Sequence, residues 1–506
     1  MNQEQFSKYD SEFCGSVPIH LINVIQPYGV LLVVDINSLS IIQVSENTFP
    51  LFGVSAINMV EKKLSEFISD KEITELKTHL SEGVTEKLPL LWELNGERYT
   101  LIAHRKNNCF ILEIENLPSG GGEDAHFVRV FRKIKNAMSN IEAAVSTEAA
   151  CTVAAAELKK VSGFDKVMIY RFDEDWNGHV LAEAMEEGME SYIGFTFPAS
   201  DIPKQARDLY LSNPYRYIPN REYAPVRLYP VINPATATFI DLSDCNIRGV
   251  SKVHLEYLGN MRVNASMSTR ILFNGKLWGL IACHHRTART MNYTMCAVFE
   301  LLSGIISNKI TSLYNRERLT KEEKVHQVYN TMVEALFKTG DVPGSLLFGA
   351  KTVLDLFSAS GAILYFGNRS YSVGTVPPPE ETDDLLLWLH TRKLRATLPV
   401  AALSVEYDRA ELFQDIASGL LALPLNTQRD EYLLLFRPET VQTINWGGNP
   451  EERIFFEKDM RTYHPRYSFK LWQENVTGVS LPWEDVELNI AESLRSLIFQ
   501  YNAENP

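Results

Sequence analysis

The sequence predicts an α+β protein of three mixed domains, with central antiparallel sheets joined by long helices. The chain has 506 residues, which at roughly 150 residues per domain indicates three domains. Short strand-like runs with turn signals alternate with helical stretches along its length. No proline occurs between Asn292 and Thr339, which predicts a helix of up to ~45 residues. Helices of that length usually bridge domains or pair with a second copy.

The first domain is predicted from four strand signals and a linker. Residues 28–35 and 39–44 indicate neighbouring buried strands. An Asn-Gly turn signal between 90–94 and 99–103 predicts a hairpin, and 110–114 closes the unit. The segment 118–124, which contains Pro-Ser-Gly-Gly-Gly, is typical of a flexible linker.

The second and third domains are also predicted from strand signals and helical stretches. The second begins with an alanine-rich helical stretch, and its long irregular segment 195–250 is of a kind that is usually functional. The third ends in a helix over about 485–503. The remaining predictions are a helical stretch over roughly 126–162 and strands over 166–172, 178–184, 270–273, 278–284, 362–366, 421–424 and 432–437.

Composition and motif absences narrow the function. The net charge of −14 disfavours nucleic-acid binding. No apolar run approaches ~18 residues, and no secretory signal opens the chain, so we expect a cytoplasmic protein without a membrane span. Phosphate-binding, metalloprotease and nucleophile-elbow motifs are absent, which disfavours an enzyme. Of six cysteines, five are expected to be buried thiols, whereas Cys14 lies in a polar leader, as a nucleophile or as a bystander.

The middle of the chain carries the candidate site. Pro198 and Pro203 bracket Ser200-Asp201, which predicts a turn before a helix that begins near Lys204. The other candidates are Arg216, Arg248, His254, Ser266, Ser268, His284 and His285.

Each candidate residue also has a plain structural reading. The arginines could be ordinary surface residues. Asp201 could cap a helix, and His254 could be a hydrogen-bonded histidine of the core. Only one of the two adjacent histidines, His284 and His285, can face inward. A zinc site built on Cys283 and the histidines is disfavoured, because adjacent strand residues point to opposite faces. Together the set suits a large planar ligand with carboxylate arms, since guanidinium groups pair bidentately with carboxylates.

These motifs resemble the phytochrome family, and within it the biliverdin-binding bacteriophytochromes. The matching strings are P-A-S-D-I-P with Q-A-R-x-L-Y, L-W-G-L-I-A-C-H-H, and W-G-G with P-R-Y-S-F in the third domain. The resemblance implies an N-terminal segment 1–27, a PAS domain 28–117, a GAF domain 126–312 and a PHY domain 320–506. It also implies a PHY "tongue" at about 437–482 and a knot, in which the N-terminal segment threads a GAF loop with Ile25 at the crossing.

The resemblance also implies roles for individual residues. Cys14 would form a thioether to biliverdin ring A, since Val253 stands where relatives carry a GAF cysteine. The Asp201 carbonyl would accept from the pyrrole N–H groups, beside Ile202 and Pro203. Arg216, Arg248 and Tyr210 would hold the ring B propionate, and Ser266, Ser268 and His254 the ring C propionate. His284 would bond ring D, within a pocket of Tyr170, Phe197 and Tyr257. Arg466 would reach Asp201 from the tongue, and Trp446, Ser468 and Trp483, the last just after the tongue, would take part in signalling.

The implied function is red/far-red light sensing. Isomerisation between rings C and D would refold the tongue and signal to an output module, such as a histidine kinase with its response regulator. We expect that module to belong to a longer chain of which this is the photosensory core, the alternative being a separate output protein. A homodimer is expected. The sequence departs from the family pattern in two places. Tyr28 stands where the family has a histidine, which we expect to matter little for pigment binding, and the linker at 118–124 is unusually rich in glycine. The alternatives are a non-photoconverting bilin or haem scaffold and a GAF regulator that binds small ligands such as cyclic nucleotides.

Overall fold

The computed structural model describes residues 18–81, 87–116, 123–426, 429–450, 454–456 and 463–504. Contacts divide the chain into two compact units. One unit comprises residues up to 313 together with 445–472, and the other comprises 314–444 together with 473 onwards. Cys14 lies outside the described residues.

The first domain is built on a seven-stranded sheet in the order β1-β11-β3-β2-β6-β5-β4. The predicted hairpin is confirmed as β4 and β5, and its turn residues Asn95 and Gly96 both have positive φ. The strands are Val24–Ile25 (β1), Gly29–Asp35 (β2), Ile41–Ser45 (β3), Leu88–Leu94 (β4), Glu97–Lys106 (β5), Cys109–Asn116 (β6) and Val226–Tyr229 (β11). The helices are Phe49–Phe52 (α1), Ala56–Met59 (α2) and Asp70–Ser81 (α3). The sheet packs its apolar face on these helices.

The segment before β2 is bonded to the second domain on two sides. On one side β1 pairs with β11, Val24 opposite Arg227. On the other, the amide of Gln26 donates to the Ile247 carbonyl at 2.8 Å, and the amide of Gly249 donates to the Val24 carbonyl at 2.9 Å. The segment is thus held between two parts of 226–249, as the predicted threading requires. Its passage through a closed knot stays a prediction.

The second domain is organised around an eight-stranded sheet in the order β10-β12-β13-β7-β8-β9-β19-β22. Its strands are Lys166–Phe172 (β7), Gly178–Met185 (β8), Thr196–Phe197 (β9), Tyr215–Ile218 (β10), Ala265–Phe273 (β12), Lys276–His285 (β13), Gln442–Gly447 (β19) and Leu471–Val476 (β22). Its helices are Glu123–Glu142 (α4), Thr147–Ser162 (α5), Lys204–Ser212 (α6) and Lys252–Asn260 (α7). The predicted helical stretch over roughly 126–162 is confirmed, but it is divided into two helices, α4 and α5. Ser146 adopts an extended backbone and its side chain accepts from Ala149 N, so it caps a new helix.

The predicted long helix is confirmed as α8, Tyr293–Thr339, with 47 residues. By length and composition alone, α8 is the one helix in the described chain that is apolar enough to cross a membrane. Half of its most apolar stretch is buried, which a core helix of a soluble protein also shows. Leu302, Ile306 and Ile310 are fully buried at helical spacing, so packing explains this apolar face.

The third domain contains a five-stranded sheet in the order β15-β14-β18-β17-β16. Its strands are Gly361–Phe366 (β14), Arg369–Gly374 (β15), Leu398–Val400 (β16), Gly419–Asn426 (β17) and Glu431–Arg437 (β18), and Ile454–Phe456 (β20) pairs with Tyr463–Pro465 (β21). Its helices are Val342–Leu347 (α9), Val353–Phe357 (α10), Pro379–Arg392 (α11), Leu403–Glu406 (α12), Gln414–Ala417 (α13) and Asp485–Glu504 (α14). Apolar clusters cover both faces of this sheet.

Candidate functional site

A large cavity opens between the sheet and the irregular segment of the second domain. Its empty space, open mouth included, measures about 1780 Å³. The walls come from α6, α7, β12 and β13, and Pro465 and Arg466 contribute from the tongue. Of the predicted residues, Tyr170, Phe197, Asp201, Ile202, Pro203, Tyr210, Arg216, Arg248, His254, Tyr257, Ser266, Ser268, His284 and Arg466 line this cavity.

One wall holds two arginines close to each other. Arg216 on β10 lies opposite Ser268 on β12, whose hydroxyl lies 2.6 Å from the Tyr210 hydroxyl. Arg248 donates from Nη1 to the Ile19 carbonyl at 2.8 Å. No carboxylate within the described ranges pairs with either guanidinium, and Nε of each has no partner there. Burial, together with the charge of Arg216, lowers the pKa of Arg248 to about 9. The wall therefore favours an anionic ligand.

Two neutral histidines face the same space. The Ser251 hydroxyl caps α7 and places His254 in its first turn, where its ring stacks on Tyr257 at 6.1 Å. His284 on β13 lies opposite Ser266 on β12. Burial lowers the pKa of both histidines to about 3, aided by Arg216 at His254 and by Lys166 at His284. Both rings are therefore uncharged hydrogen-bonding groups near neutral pH.

An ion pair joins the cavity floor to the tongue. Arg466 Nη2 contacts Asp201 Oδ2, and the Tyr257 hydroxyl donates to the same oxygen at 2.8 Å. The guanidinium also packs over the rings of Phe197 and Phe469. Burial alone would lower the pKa of Arg466, but the Asp201 carboxylate and Tyr257 together outweigh it and raise that pKa. Asp201 is therefore not a helix cap: Pro203 occupies the N-cap position of α6.

The comparisons with known proteins agree with this architecture. Three family models match in order, the PAS fold over residues 14–117, the GAF domain over 146–310 and the Phytochrome region over 325–505. A bacteriophytochrome of Xanthomonas campestris is 32% identical over 97% of this chain and 78% of its own length. The chain belongs to the phytochrome family. The recognition and the three-domain fold predicted from sequence are confirmed.

Other phytochromes match over nearly the whole chain. Cyanobacterial phytochrome B of Nostoc sp. is 38% identical over 97% of this chain and 66% of its own length. A bacteriophytochrome structure from R. palustris superposes with a TM-score of 0.84, at 32% identity, covering 97% of this chain and 99% of that one. The Stigmatella aurantiaca phytochrome photosensory core module superposes with a TM-score of 0.82 at 34% identity, covering 97% of this chain and 98% of that one. The chain spans about two thirds of the length of the cyanobacterial relatives.

Some predicted phytochrome residues lie away from the cavity wall. Trp446 on β19 is buried opposite Thr196 of β9, and Ser468 is exposed. Trp483 belongs to the core of the other unit, where its indole donates to the Val400 carbonyl at 3.2 Å. Of the adjacent histidines, His284 faces the cavity, whereas His285 pairs with Asp165, as strand alternation predicts.

Sequence reasoning missed two residues that lie outside the cavity lining but act on residues of its wall. Lys166 is buried, pairs with Glu183 at 3.3 Å and lies over the Tyr192 ring. No local pattern separates such a lysine from an exposed one on a strand. Tyr28, expected to matter little, donates to the Asn246 carbonyl at 3.2 Å and so contacts the segment that carries Arg248. That contact joins residues 218 positions apart, beyond the reach of local patterns.

Proposed function

We propose that this chain is the photosensory module of a red/far-red light photoreceptor that carries covalently attached biliverdin. The observation that supports it best is the wall with Arg216 and Arg248, two guanidinium groups in one apolar cavity without a carboxylate among the described residues. Burying like charges this way costs folding free energy. A ligand that brings two carboxylates offsets that cost, and biliverdin carries two propionates on a planar apolar body.

The polar residues divide between the two propionates. Arg216, Arg248 and the Tyr210 hydroxyl would hold the ring B propionate. Ser266, Ser268 and His254 would hold the ring C propionate. Because the pKa of His254 is lowered to about 3 by burial, the ring would act as a neutral donor rather than as a cation. Two hydroxyls and a neutral imidazole make a weaker anion site than two guanidiniums, so the arginine wall would set the orientation.

The remaining cavity residues would hold the conjugated ring system of biliverdin. The Asp201 carbonyl would accept from the pyrrole N–H groups, with Ile202 and Pro203 beside it. His284 would bond the ring D carbonyl from the sheet, and Tyr170, Phe197 and Tyr257 would enclose ring D. The rings of Tyr170 and Phe197 lie edge to face at 5.7 Å, which leaves them packed but able to shift against a turning ring.

Attachment would occur at Cys14. Addition of its S–H across the ring A vinyl group forms the thioether, sulfur bonding to one carbon and the proton going to the other, so that no oxidant or leaving group is needed. Val253 precedes His254, so this position cannot supply a GAF thiol.

The tongue would carry the signal. The pigment supplies light-driven isomerisation of the double bond between rings C and D. The chain's part is the Asp201–Arg466 pair, which links the cavity wall to the tongue and would separate when contacts around Asp201 change. Residues 471–476 form strand β22 although Leu, Gln and Glu also favour helix, so this segment has the mixed propensity that a two-state element needs.

The whole protein would pass this signal to an output module, either a histidine kinase or a separate response-regulator system. We further propose a cytoplasmic homodimer. The exposed Leu301 and Leu319 on α8 offer apolar surface for helix pairing.

The deciding experiment is the visible spectrum of the chain mixed with biliverdin, before and after red light, for the wild type and Cys14→Ala. We expect a red band that shifts to the far-red on illumination, and pigment that resists denaturation only when Cys14 is present. A band that does not photoconvert would leave a bilin-binding scaffold. Failure to bind any pigment would overturn the proposal and favour a GAF site for another small ligand.

A further inference from the structure

A second group of chemically reactive side chains lies where the PAS and GAF domains meet. His104 is on β5, Glu113 on β6, and Cys245 in the irregular GAF segment. Each is at most 5% exposed. One ligating atom from each, an imidazole nitrogen, a carboxylate oxygen and the thiol sulfur, lies within 4.8 Å of the other two.

The three side chains are only partly hydrogen-bonded to one another. His104 Nδ1 and Glu113 Oε1 are 3.9 Å apart, too far for a hydrogen bond, and neither has a partner among the described residues. His104 Nε2 lies 3.8 Å from Cys245 Sγ, at the long end for a thiol contact. A histidine binds one ion through one ring nitrogen, so the relevant spacing is the 4.8 Å within which one donor atom of each residue lies. Ligands that share one tetrahedral ion at bond lengths of about 2.0–2.3 Å lie about 3.3–3.8 Å apart, so side-chain movements of about 1 Å would bring the three donors around one ion.

The charges around the cluster leave room for a cation. Lys87 is the basic group that acts on both Glu113 and Glu115. A divalent ion would add positive charge beside these two buried carboxyl groups.

We propose that His104, Glu113 and Cys245 form a binding site for a divalent ion of the zinc class. Thiolate, imidazole and carboxylate are the donors that suit such an ion, whereas Mg²⁺ and Ca²⁺ prefer all-oxygen sites. Cys245 also lines the large cavity, which gives the ion a route to the cluster. Binding releases the thiol proton and any proton on Glu113 to solvent.

The site would tie the PAS sheet to the segment that orients Arg248. Glu113 already accepts from the Ile247 amide through Oε2 at 2.9 Å, leaving Oε1 for the ion. Cys245 is three positions before Arg248. The inference is independent of the proposed pigment, because none of its ligands belongs to the proposed biliverdin contacts.

The test uses the full chain without pigment, after chelator dialysis, in a Cys14→Ser background that removes the leader thiol. Titration with Co²⁺ should saturate at one ion per chain, with a near-ultraviolet thiolate-to-Co²⁺ band and visible bands of a tetrahedral ion, all displaced by Zn²⁺. Cys245→Ser should abolish the thiolate band. The near-isosteric His104→Gln and Glu113→Gln should each weaken Co²⁺ binding at least tenfold.

Cys283→Ser is the matched control, since Cys283 is a buried GAF thiol outside the cluster and should leave the bands unchanged. Circular dichroism of each variant confirms that it is folded. The inference is overturned if the folded parent protein shows no thiolate band, or if the band survives Cys245→Ser. Because no pigment is present, neither result bears on biliverdin binding.

Discussion

At the scale of single residues, the two buried arginines of the cavity wall lower the stability of the free protein but favour binding of an anionic ligand. Arg216 is surrounded by apolar groups and hydroxyls, and burial lowers its pKa. Its charge also lowers the pKa of Arg248 and of His254. A residue that is costly in the free protein and has no ion-pair partner in the described chain is typical of a site optimised for a ligand.

We therefore expect Arg216→Met to raise the melting temperature of the pigment-free protein while weakening biliverdin binding. Loss of a charge-assisted hydrogen bond is worth about 1.5–3 kcal/mol, or roughly a 10- to 150-fold loss of affinity. Thermal unfolding and a pigment titration followed by absorbance measure the two effects. Arg171→Met, at an exposed position of β7, is the control and should change neither. A destabilised variant with unchanged affinity would contradict the prediction.

The neutral histidines of the cavity make the pigment-free protein sensitive to acid. Burial lowers the folded-state pKa of His254 and His284 to about 3, against about 6.5 in the unfolded chain. As the pH falls below that unfolded value, the unfolded chain takes up protons first. The stabilising contribution is therefore present above about pH 6.5 and is lost progressively toward pH 3.

We expect the free energy of unfolding, measured by urea at several pH values, to fall between pH 7 and pH 5. The slope should be smaller in His254→Gln/His284→Gln, by up to about 1.4 kcal/mol per pH unit for each histidine removed. His326→Gln, on the exposed face of α8, serves as the control. An unchanged slope in the double variant would show that the cavity histidines do not titrate below their usual range.

At the scale of elements, the sequence predicted individual strands and helix starts, which depend on local patterns, and missed contacts between residues far apart in the chain. Strand β7 and the start of α6 at Lys204 follow from alternation and from Pro203. The break before α5 was missed because alanine-rich composition outweighed the capping signal of Ser146. The pairing of β1 with β11 and the approach of Cys245 to His104 join residues far apart in sequence, which no periodicity reports.

Gly249 tests how the N-terminal segment is held. A Cβ at this position would lie 2.7 Å from the Val24 carbonyl oxygen, and the Gly249 amide donates to that same carbonyl. We expect Gly249→Ala to displace the segment, lower the free energy of unfolding by about 1–3 kcal/mol, and speed proteolysis near residue 20. Attachment of biliverdin at Cys14 should slow in parallel.

Gly304 provides a control at which an added methyl group should raise, rather than lower, the free energy of unfolding. It lies within α8, and no neighbour would meet an added Cβ within 4 Å. Gly304→Ala should therefore stabilise the chain by about 0.5–1 kcal/mol through helix propensity. Equal effects of the two substitutions would mean that the close approach at Val24 does not constrain the fold.

At the scale of the whole molecule, the candidate site depends on chain that returns from a distant part of the sequence. Residues 445–472 belong to the same compact unit as the cavity, although the chain before and after them belongs to the other. Motifs predicted this return, because Arg466 lies in a string that resembles the phytochrome tongue. They could not predict the aromatic packing of Arg466 on Phe197 and Phe469, which depends on three-dimensional placement alone.

The two strands of the tongue offer a way to ask whether it must refold for signalling. The Thr443 and Asn475 side chains on β19 and β22 are exposed and hydrogen-bonded at 2.9 Å, so Thr443→Cys/Asn475→Cys brings two thiols together without disturbing a core. Oxidised, this variant should bind biliverdin and absorb red light normally, yet accumulate little far-red photoproduct, because the strands cannot separate. Reduction should restore photoconversion, and each single-cysteine variant should behave as wild type. Full photoconversion of the oxidised protein would show that the strand pairing of the tongue persists through the light cycle.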